Sequence, residues 1–307
     1  MNIPEPNVQD GIEYWNTQPA SLDGVLGGFG SCTLPRVDAL GSRQFLLSLL
    51  PALSTVPSAI RPLDAPKLTR RTRALDVGAG IGRVTSTVLL HLTDDVVLLE
   101  PVEHFVREAF LRVATARHDQ YAGDWKSVND AQRSVSVVQG TLQDFDPRLA
   151  PEKWRNCTLL GRLGYVPPEG QLDGDSGFDV VWCQWCLGHL SDEDLVSFLK
   201  RAKDSLRSAF KDTGDMEGLI IVKENVCPEL TPGEARTVFD KSDSSLTRSD
   251  LAWKNSFMSA GLKLLKEEIQ LGFPEGLYAV KMYALRPDVG DSRLLRSRPG
   301  DLSTATA

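Results

Sequence analysis

The chain has 307 residues, of which 41% are hydrophobic and 24% charged, as in ordinary soluble globular proteins. Its formal net charge of −7 argues against a nucleic-acid partner, because a broad nucleic-acid-binding surface needs an excess of Lys and Arg. No apolar run has the length of a membrane helix, and Met1 is not followed by a leader sequence, so we expect a soluble protein with no membrane partner.

The N-terminal part predicts little regular structure before residue 42. The first dozen residues are rich in Pro, Asn and Asp and are expected to be loosely ordered. The next segment, GIEYWNTQPASLDGVLGGFG, has a glycine cluster at positions 27, 28 and 30 that predicts a loop pressed close to another part of the molecule. After Ser42, a good N-cap, a helix is predicted from the spacing of Phe45, Leu46, Leu49, Leu50 and Leu53.

Short apolar runs alternate with amphipathic helices from Ala74 onward, which predicts an α/β fold with a mainly parallel sheet covered on both faces. The predicted strands are ALDVGA, DVVLLEP, SVSVVQG, DVVWCQW, GLIIVKEN, LKLLKEEIQ and LYAVKMYAL. Helices are predicted at about 82–92, 103–118, 192–209 and 248–260, the third with Ser191 as its N-cap and Asp194 in its first turn.

These elements divide the chain into three parts. Residues 1–72 form an N-terminal helical extension, residues 73–287 the main domain, and residues 288–307 a polar tail that is expected to be disordered. Two segments interrupt the alternation, at roughly 120–133 and 157–177, and we expect both to be surface insertions.

A glycine-rich loop, DVGAGIGR, follows the first predicted strand and opens a helix, which is the context of a nucleotide-binding loop. Gly78, Gly80 and Gly82 have the spacing G-x-G-x-G, whereas dinucleotide-binding proteins have G-x-G-x-x-G. Glu100 ends the second strand, where a carboxylate can accept hydrogen bonds from ribose hydroxyls. Arg83 can bind a carboxylate through two hydrogen bonds, and S-adenosylmethionine carries a carboxylate where NAD carries phosphates.

This arrangement resembles the class I (Rossmann-like) S-adenosylmethionine-dependent methyltransferases. The resemblance implies a seven-stranded, mostly parallel sheet flanked by helices, with a reversed final hairpin that the last two predicted strands match. It also implies S-adenosylmethionine as the cofactor and S-adenosyl-L-homocysteine as the product. Leu142 and Gln143 would lie beside the adenine, and Gln184 would also contact the cofactor.

A set of separate motifs narrows the resemblance to one family. The motifs YWNTQPASLDGVLGGFG, ALDVGAGIGRVT, GTLQDF, WCQWCLGHLSDEDL, IIVKEN, DKSDSS and LYAVKMYALRP follow one another across about residues 12–287. They resemble the protein N-terminal methyltransferases, which methylate the α-amine of proteins that begin Xaa-Pro-Lys or Xaa-Pro-Arg. The resemblance implies protein substrates with such N-termini and a location in the cytoplasm, the nucleus or both.

The predicted substrate site combines acidic and aromatic residues. Asp240 and Asp243 of DKSDSS are carboxylates three residues apart in a turn-prone segment, able to bind a Lys or Arg side chain, and Ser245 ends the same segment. Trp15 and Trp185 can form apolar walls around a proline ring.

Three further residues complete the predicted substrate site. Leu26 and Gly27 belong to a loop that resembles the family's lid over the substrate. Tyr278 offers a hydroxyl at the rim of the site.

Methyl transfer to an amine needs the neutral amine, because an ammonium has no lone pair. Free α-amines titrate near pH ~8, so an enzyme that works near neutrality gains from accepting that proton. His189 and Asp243 are candidate acceptors, and Asn225 can hold the amine through its side-chain carbonyl. The family resemblance implies these positioning and deprotonating roles for His189, Asn225 and Asp243.

Two other functions stay open at this point. The chain could methylate a cationic small molecule, or it could bind basic N-termini without catalysis.

The Cys-x-x-Cys of WCQWCLGHL suggests a metal or redox site, but the other cysteines offer no second ligand pair and the motif lies in a buried-looking strand. We therefore expect no metal, and we expect Cys183 and Cys186 to be small packing residues.

Overall fold

A mixed β-sheet lies at the centre of the protein in a computed structural model that describes residues 3–54, 68, 70–116, 125–168, 177–208 and 216–288. In these residues the sheet has ten strands. They are β1 (Arg73–Val77), β2 (Asp95–Glu100), β3 (Ser134–Gln139), β4 (Thr158–Gly164), β5 (Val180–Gln184), β6 (Leu219–Cys227), β7 (Thr237–Asp240), β8 (Ser245–Ser249), β9 (Leu262–Ile269) and β10 (Ala279–Pro287).

The strand order is β4-β3-β2-β1-β5-β6-β10-β9. Strands β3, β2, β1, β5 and β6 pair in parallel, whereas β10 runs antiparallel to both β6 and β9. All seven predicted strands are present, and the final hairpin is reversed as expected. The central strands read as continuous apolar runs because they are buried on both faces, as the burial of all six residues of β2 illustrates.

Three strands were not predicted. The segment 157–177, expected to be a surface insertion, supplies β4, which pairs antiparallel with β3 at the sheet edge. Its residues are mostly half-exposed, so the strand lacks the apolar pattern by which buried strands are found. Strands β7 and β8 form a hairpin, and the end of β8 pairs in parallel with the end of β6.

Seven α-helices are described in the same residues. They are α1 (Val8–Asn16), α2 (Leu22–Val25), α3 (Leu34–Leu49), α4 (Arg83–Thr87), α5 (Glu103–Ala116), α6 (Asp192–Asp204) and α7 (Asp250–Ser259). Helix α6 begins as predicted, with the Ser191 hydroxyl accepting the N–H of Asp194 at 3.1 Å. Helix α4 is shorter than predicted, and a short 3₁₀ helix at Leu89–His91 follows it.

The N-terminal extension is more helical than its composition predicted. The prediction that the first dozen residues are loosely ordered is wrong, because α1 begins at Val8 and is capped by the Asn7 side chain. The prediction of Ser42 as an N-cap is also wrong: α3 begins eight residues earlier at Leu34, and Ser42 lies inside the helix with its side chain buried. Ser42 is therefore a buried polar residue within the helix and does not begin it.

Helices cover both faces of the sheet and enclose two apolar layers. Neighbouring strand residues point to opposite layers, with Trp182 in one and Cys183 in the other. The segment 120–133 is not simply a surface insertion, since Trp125 and Val128 are buried in the first layer. Residues 117–124 and 169–176, parts of the two proposed insertions, and the tail after Asp288 lie outside the described residues.

The parallel strands end at a common edge of the sheet, and the residues singled out by the sequence cluster there. In open α/β sheets, ligands bind at this carboxyl edge, where the strand order reverses direction. None of the helices described is long and apolar enough to cross a membrane.

Candidate active site

Two adjoining chambers open at the carboxyl edge of the sheet. The inner chamber lies over the loop after β1 and the ends of β2 and β5. The outer chamber lies between the N-terminal extension, the end of β6, the β7–β8 hairpin and the β9–β10 connection. Both chambers are lined by Trp15, Val25, Trp185 and His189. The two chambers therefore adjoin along these four residues.

Most of the predicted site residues line one or both chambers. The inner chamber is lined by Gly78, Gly80, Arg83, Glu100, Leu142, Gln143 and Gln184. The outer chamber is lined by Trp15, Leu26, Gly27, Trp185, His189, Asn225, Asp243, Ser245 and Tyr278. Two predicted residues, Gly82 and Asp240, line neither chamber.

The glycine loop after β1 has a left-handed backbone, with φ of 62° at Gly78, 57° at Gly80 and 80° at Gly82. A Cβ at Gly78 would lie 2.3 Å from the Cβ of Cys186, so this glycine lets the loop pack against the turn after β5. Gly82 packs against the indole of Trp125, where a Cβ would meet the ring at 2.4 Å. Its role is to shape the loop and not to line the chamber.

Two buried carboxylates flank this loop. Glu100 accepts the N–H of Gly80 at 2.7 Å and that of Val102 at 2.9 Å, one on each oxygen. Burial raises the pKa of Glu100 to about 7 and that of Asp76, which binds the Thr85 hydroxyl at 2.5 Å, to about 6. Glu100 ties the glycine loop to β2, and its remaining lone pairs suit the hydroxyl donors of a sugar.

A buried charge cluster lies behind Arg83 and Gln184, which line the inner chamber. The carboxylate of Asp38, on α3, binds both the Arg83 guanidinium and the Lys223 ammonium, the latter at 2.6 Å. The side-chain amide of Gln184 donates to Asp38 at 2.9 Å. Asp38 and Lys223 are fully buried and Arg83 is 8% exposed.

The cluster has an excess of positive charge. Burial opposes the charged form of Asp38, yet Arg83 and Lys223 together hold the pKa of its carboxyl below the ordinary value. Burial lowers the pKa of Lys223, whose ammonium also binds the Ser42 hydroxyl at 3.0 Å and the Gln270 side-chain carbonyl at 2.7 Å. Two cations facing one buried carboxylate fit a ligand that brings a second carboxylate.

The sequence predictions missed both Asp38 and Lys223. Lys223 could have been predicted from the sequence, because a lysine interrupts the apolar strand IIVKEN. A lysine buried in such a strand needs a charged or polar partner. Asp38 left none, since a single acidic residue in an amphipathic helix is ordinarily solvated.

Aromatic side chains form the wall between the chambers. The Trp15 indole N–H donates to Nε2 of His189 at 3.0 Å, and the two rings meet edge to face. Trp185 follows β5 with a left-handed φ of 55°, and its ring lies 6.1 Å from that of Phe273. Burial lowers the pKa of His189, although the charge of Asp243 opposes this. Since Nε2 accepts the indole N–H, the neutral imidazole carries its proton on Nδ1.

The β7–β8 turn brings the acidic segment to the outer chamber. Asp243 accepts the Ser245 hydroxyl at 2.6 Å, and the Ser244 hydroxyl accepts the backbone N–H of Asn7 at 2.9 Å. This second bond attaches the start of α1 to the turn. Asp240 is exposed and binds Ser242, so the structure brings only one of the two predicted carboxylates into the chamber lining.

The residues predicted for the lid and the rim, Leu26, Gly27 and Tyr278, line the outer chamber. Leu26 is 9% exposed and Gly27 follows it with φ of 58°. Among the described atoms nothing lies within 4 Å of a Cβ built on Gly27, so its backbone conformation explains the glycine better than close packing does. Tyr278 is 48% exposed, as expected of a rim residue.

The Cys-x-x-Cys residues pack in the core beside the site. Cys183 and Cys186 are buried free thiols, and burial raises the pKa of both. This disfavours the thiolate form that metal ligation and disulfide exchange use. Within the residues that the structure describes, no group of three His, Cys, Asp or Glu side chains is placed to hold a metal ion.

Comparison with known proteins gives one consistent set of relatives. A family model described as AdoMet dependent proline di-methyltransferase matches residues 4–286. Alpha N-terminal protein methyltransferase 1 of Schizosaccharomyces pombe is 34% identical over 284 residues, covering 92% of this chain and 98% of the relative. Human N-terminal Xaa-Pro-Lys N-methyltransferase 1 is 32% identical over 273 residues, covering 89% and 92%.

A solved structure agrees with these matches. A SAM-dependent methyltransferase from Leishmania major superposes with a TM-score of 0.62 at 30% sequence identity, covering 91% of this chain and 82% of that one. The match of the family model over residues 4–286 includes the lining residues of both chambers.

Proposed function

Since the chain belongs to the family of AdoMet-dependent proline di-methyltransferases, we propose that its two chambers bring a cofactor and a protein N-terminus together for methyl transfer. The chain is a S-adenosylmethionine-dependent N-terminal protein methyltransferase and acts on protein substrates. The proposal adds the recognised sequence, Xaa-Pro-Lys or Xaa-Pro-Arg, and the role of each residue in the site.

S-adenosylmethionine, when bound, supplies an electrophilic methyl group on its sulfonium sulfur. The inner chamber suits the rest of the molecule. Arg83, backed by Lys223, provides the positive charge for its carboxylate, and Glu100 provides acceptors for its ribose hydroxyls. Leu142 and Gln143 line the side of the chamber proposed for the adenine.

The outer chamber suits the first three residues of the substrate. Asp243 provides a negative charge for the Lys or Arg side chain at the third position. Trp15 and Trp185 provide flat apolar surfaces for the proline ring. The α-amine then lies near Asn225 and His189, which we propose orient it toward the inner chamber. Asp240 is proposed to attract the basic side chain from outside the chamber.

One observation carries this proposal most directly. Trp15, Trp185 and His189 line both chambers, so the wall that would hold the substrate's proline and amine also borders the cofactor chamber. Catalysis then rests on alignment of the amine with the methyl group and on exclusion of water, without a covalent intermediate.

The N-terminal extension, residues 1–72, is proposed to act as the substrate lid over the methyltransferase domain, residues 73–287. Its described part supports this through three long-range contacts, from Asn7 to Ser244, Trp15 to His189 and Asp38 to Lys223. We further propose that the protein acts in the cytoplasm, the nucleus or both, where nascent and mature N-termini are accessible.

A peptide assay tests the proposal. The protein is incubated with methyl-labelled cofactor and a peptide that begins Ser-Pro-Lys, and tandem mass spectrometry locates the label. We expect the label on the α-amine, and no label on the same peptide when its amine is acetylated. Equal labelling of the two peptides would overturn the proposal. Binding of the peptide without turnover would instead support a noncatalytic binder, and labelling of a metabolite alone would support a small-molecule methyltransferase.

A further inference from the structure

The connection between β9 and β10, residues 270–278, forms one wall of the outer chamber. Phe273, Leu277 and Tyr278 line the chamber from this side. Much of the connection lies at the surface, where Leu271 is 77% and Tyr278 48% exposed. An exposed connection gains little from apolar burial, so its position depends on the few contacts that attach it to the rest of the molecule.

Gln270 attaches the start of this connection to the buried charge cluster. Its backbone N–H donates to the carbonyl of Val280 at 2.8 Å, and its side-chain carbonyl accepts the Lys223 ammonium at 2.7 Å. Its side-chain N–H₂ group donates to the carbonyl of Leu271 at 2.9 Å, and the residue is only 9% exposed. Because an ammonium can only donate, the oxygen of the amide must face Lys223, and both ends of the amide are engaged.

Lys223 joins β6, α3 and the connection through its three protons. Its fully buried ammonium binds the side chains of Asp38 at 2.6 Å and Ser42 at 3.0 Å, both on α3, in addition to Gln270. An ammonium has three donors, so each of these three side chains takes one. Removing the Gln270 carbonyl would take away the partner of one donor on a buried cation, which is costly. The bond therefore fixes the connection to the core.

Two close contacts accompany this bond. Gly41 on α3 leaves room for the amide, since a Cβ at that glycine would lie 2.4 Å from Oε1 of Gln270. The ring centroid of Phe273 lies 5.8 Å from Nζ of Lys223 and 6.1 Å from the ring centroid of Trp185. Trp185 belongs to the wall that both chambers share. A continuous set of contacts thus leads from the buried cluster to the surface proposed for the substrate's proline.

We propose that Gln270 is a positioning residue for the substrate. Its bond to Lys223 holds the β9–β10 connection in place. Phe273 then braces Trp185, and Tyr278 stays at the rim of the outer chamber. A wall that is ordered before the substrate arrives reduces the entropy lost on binding. The inference rests on the proposed function of the outer chamber as the substrate site, and it concerns peptide binding and not the chemical step.

Gln270 also contributes to folding, and the choice of variants separates the two roles. Gln270→Met keeps the length of the side chain but removes the carbonyl that accepts the ammonium. Gln270→Glu keeps an acceptor oxygen for Lys223 and should restore peptide binding. Gln132→Met makes the first change at an exposed position before β3, outside the lining of both chambers, and is the matched control. A loss of folded protein alone lowers the apparent kcat and leaves KM unchanged.

Steady-state kinetics with a Ser-Pro-Lys peptide compare the four proteins at saturating S-adenosylmethionine. We expect Gln270→Met to raise the KM of the peptide about tenfold and to change kcat less than about threefold. Gln270→Glu should keep KM within about threefold of the wild type, and Gln132→Met should match it. In Gln270→Met the affinity for S-adenosylhomocysteine, measured by calorimetry, should change less than about threefold, because residues 270–278 do not line the inner chamber.

Two further measurements test whether Gln270 acts through the connection. Phe273→Ala should also raise the peptide KM, since it removes the ring that braces Trp185. If Gln270 holds Phe273 in place, the two losses overlap, and the double variant should exceed the larger single KM change by no more than about twofold. Amide hydrogen exchange in residues 271–278 should rise in Gln270→Met and not in Gln132→Met.

Several results would overturn the inference. They are a peptide KM in Gln270→Met within about twofold of the wild type, a fall in kcat alone, or an equal rise of KM in Gln270→Glu. Full multiplication of the two KM changes in the double variant would contradict it as well, because the residues would then act separately. Unchanged hydrogen exchange in the connection would refute the anchor. Failure of the wild type to methylate the peptide would instead refute the proposed function, while hydrogen exchange would still test the anchor.

Discussion

The inner and outer chambers share a wall but are built from different kinds of sequence. The inner chamber uses a continuous loop, residues 77–83, and the ends of adjacent parallel strands, and it is braced by a fully buried ion cluster. The outer chamber is assembled from α1, the β7–β8 turn and the β9–β10 connection, which are additions around the central sheet. Under the proposed function, the cofactor would therefore be held mainly by the sheet edge, and the substrate largely by the additions.

Asp38→Ala gives the largest expected effect and tests whether the inner chamber depends on its buried charges. The substitution leaves Arg83 and Lys223 buried without their carboxylate, so the free energy of unfolding should fall by about 3–5 kcal/mol. Chemical denaturation measures it. Glu103→Ala, which removes an exposed helical ion pair with Arg107, should change stability by less than about 0.5 kcal/mol. Similar values for the two variants would show that the cluster does not brace the chamber.

Asp243→Asn should have the next largest effect and tests whether the chambers function separately. Loss of the charge proposed to face the substrate's basic side chain should reduce transition-state stabilisation by about 2–4 kcal/mol. This corresponds to a fall in kcat/KM of roughly 30- to 1000-fold. Cofactor affinity, measured by calorimetry, should stay within twofold because Asp243 does not line the inner chamber. Asp240→Asn, at an exposed position, should lower kcat/KM less than fivefold. A large loss of cofactor affinity in Asp243→Asn would contradict this separation.

Trp15→Phe should have the smallest effect and tests the shared wall. It removes one hydrogen bond, to Nε2 of His189, while keeping an aromatic ring. The transition-state stabilisation measured from kcat/KM should therefore fall by about 0.5–1.5 kcal/mol. Trp154→Phe removes a comparable bond, to the carbonyl of Asp146, away from both chambers. Steady-state kinetics should therefore change in Trp15→Phe alone, and an equal change in both variants would exclude a specific role for the wall.

Much of the inner chamber was predictable because its signals are local. The glycine loop, Arg83 and the carboxylate at the end of β2 lie within one βαβ unit, where spacing along the chain fixes spacing in the fold. The outer-chamber residues were found by resemblance to a family, since nothing in their spacing brings Trp15, His189 and Asp243 together. Gly82 and Asp240 show the limit of both approaches, because neither lines a chamber.

The sequence by itself determined seven of the ten described strands, the reversed final hairpin and the family to which the chain belongs. Only the tertiary structure decided which polar residues are buried and what they bind. Lys223 and Asp38 are 185 residues apart in the sequence, yet their side chains form a buried ion pair. Periodicity and motif spacing indicate local geometry. The charge state and the hydrogen bonds of a buried group depend instead on partners that only the folded chain supplies.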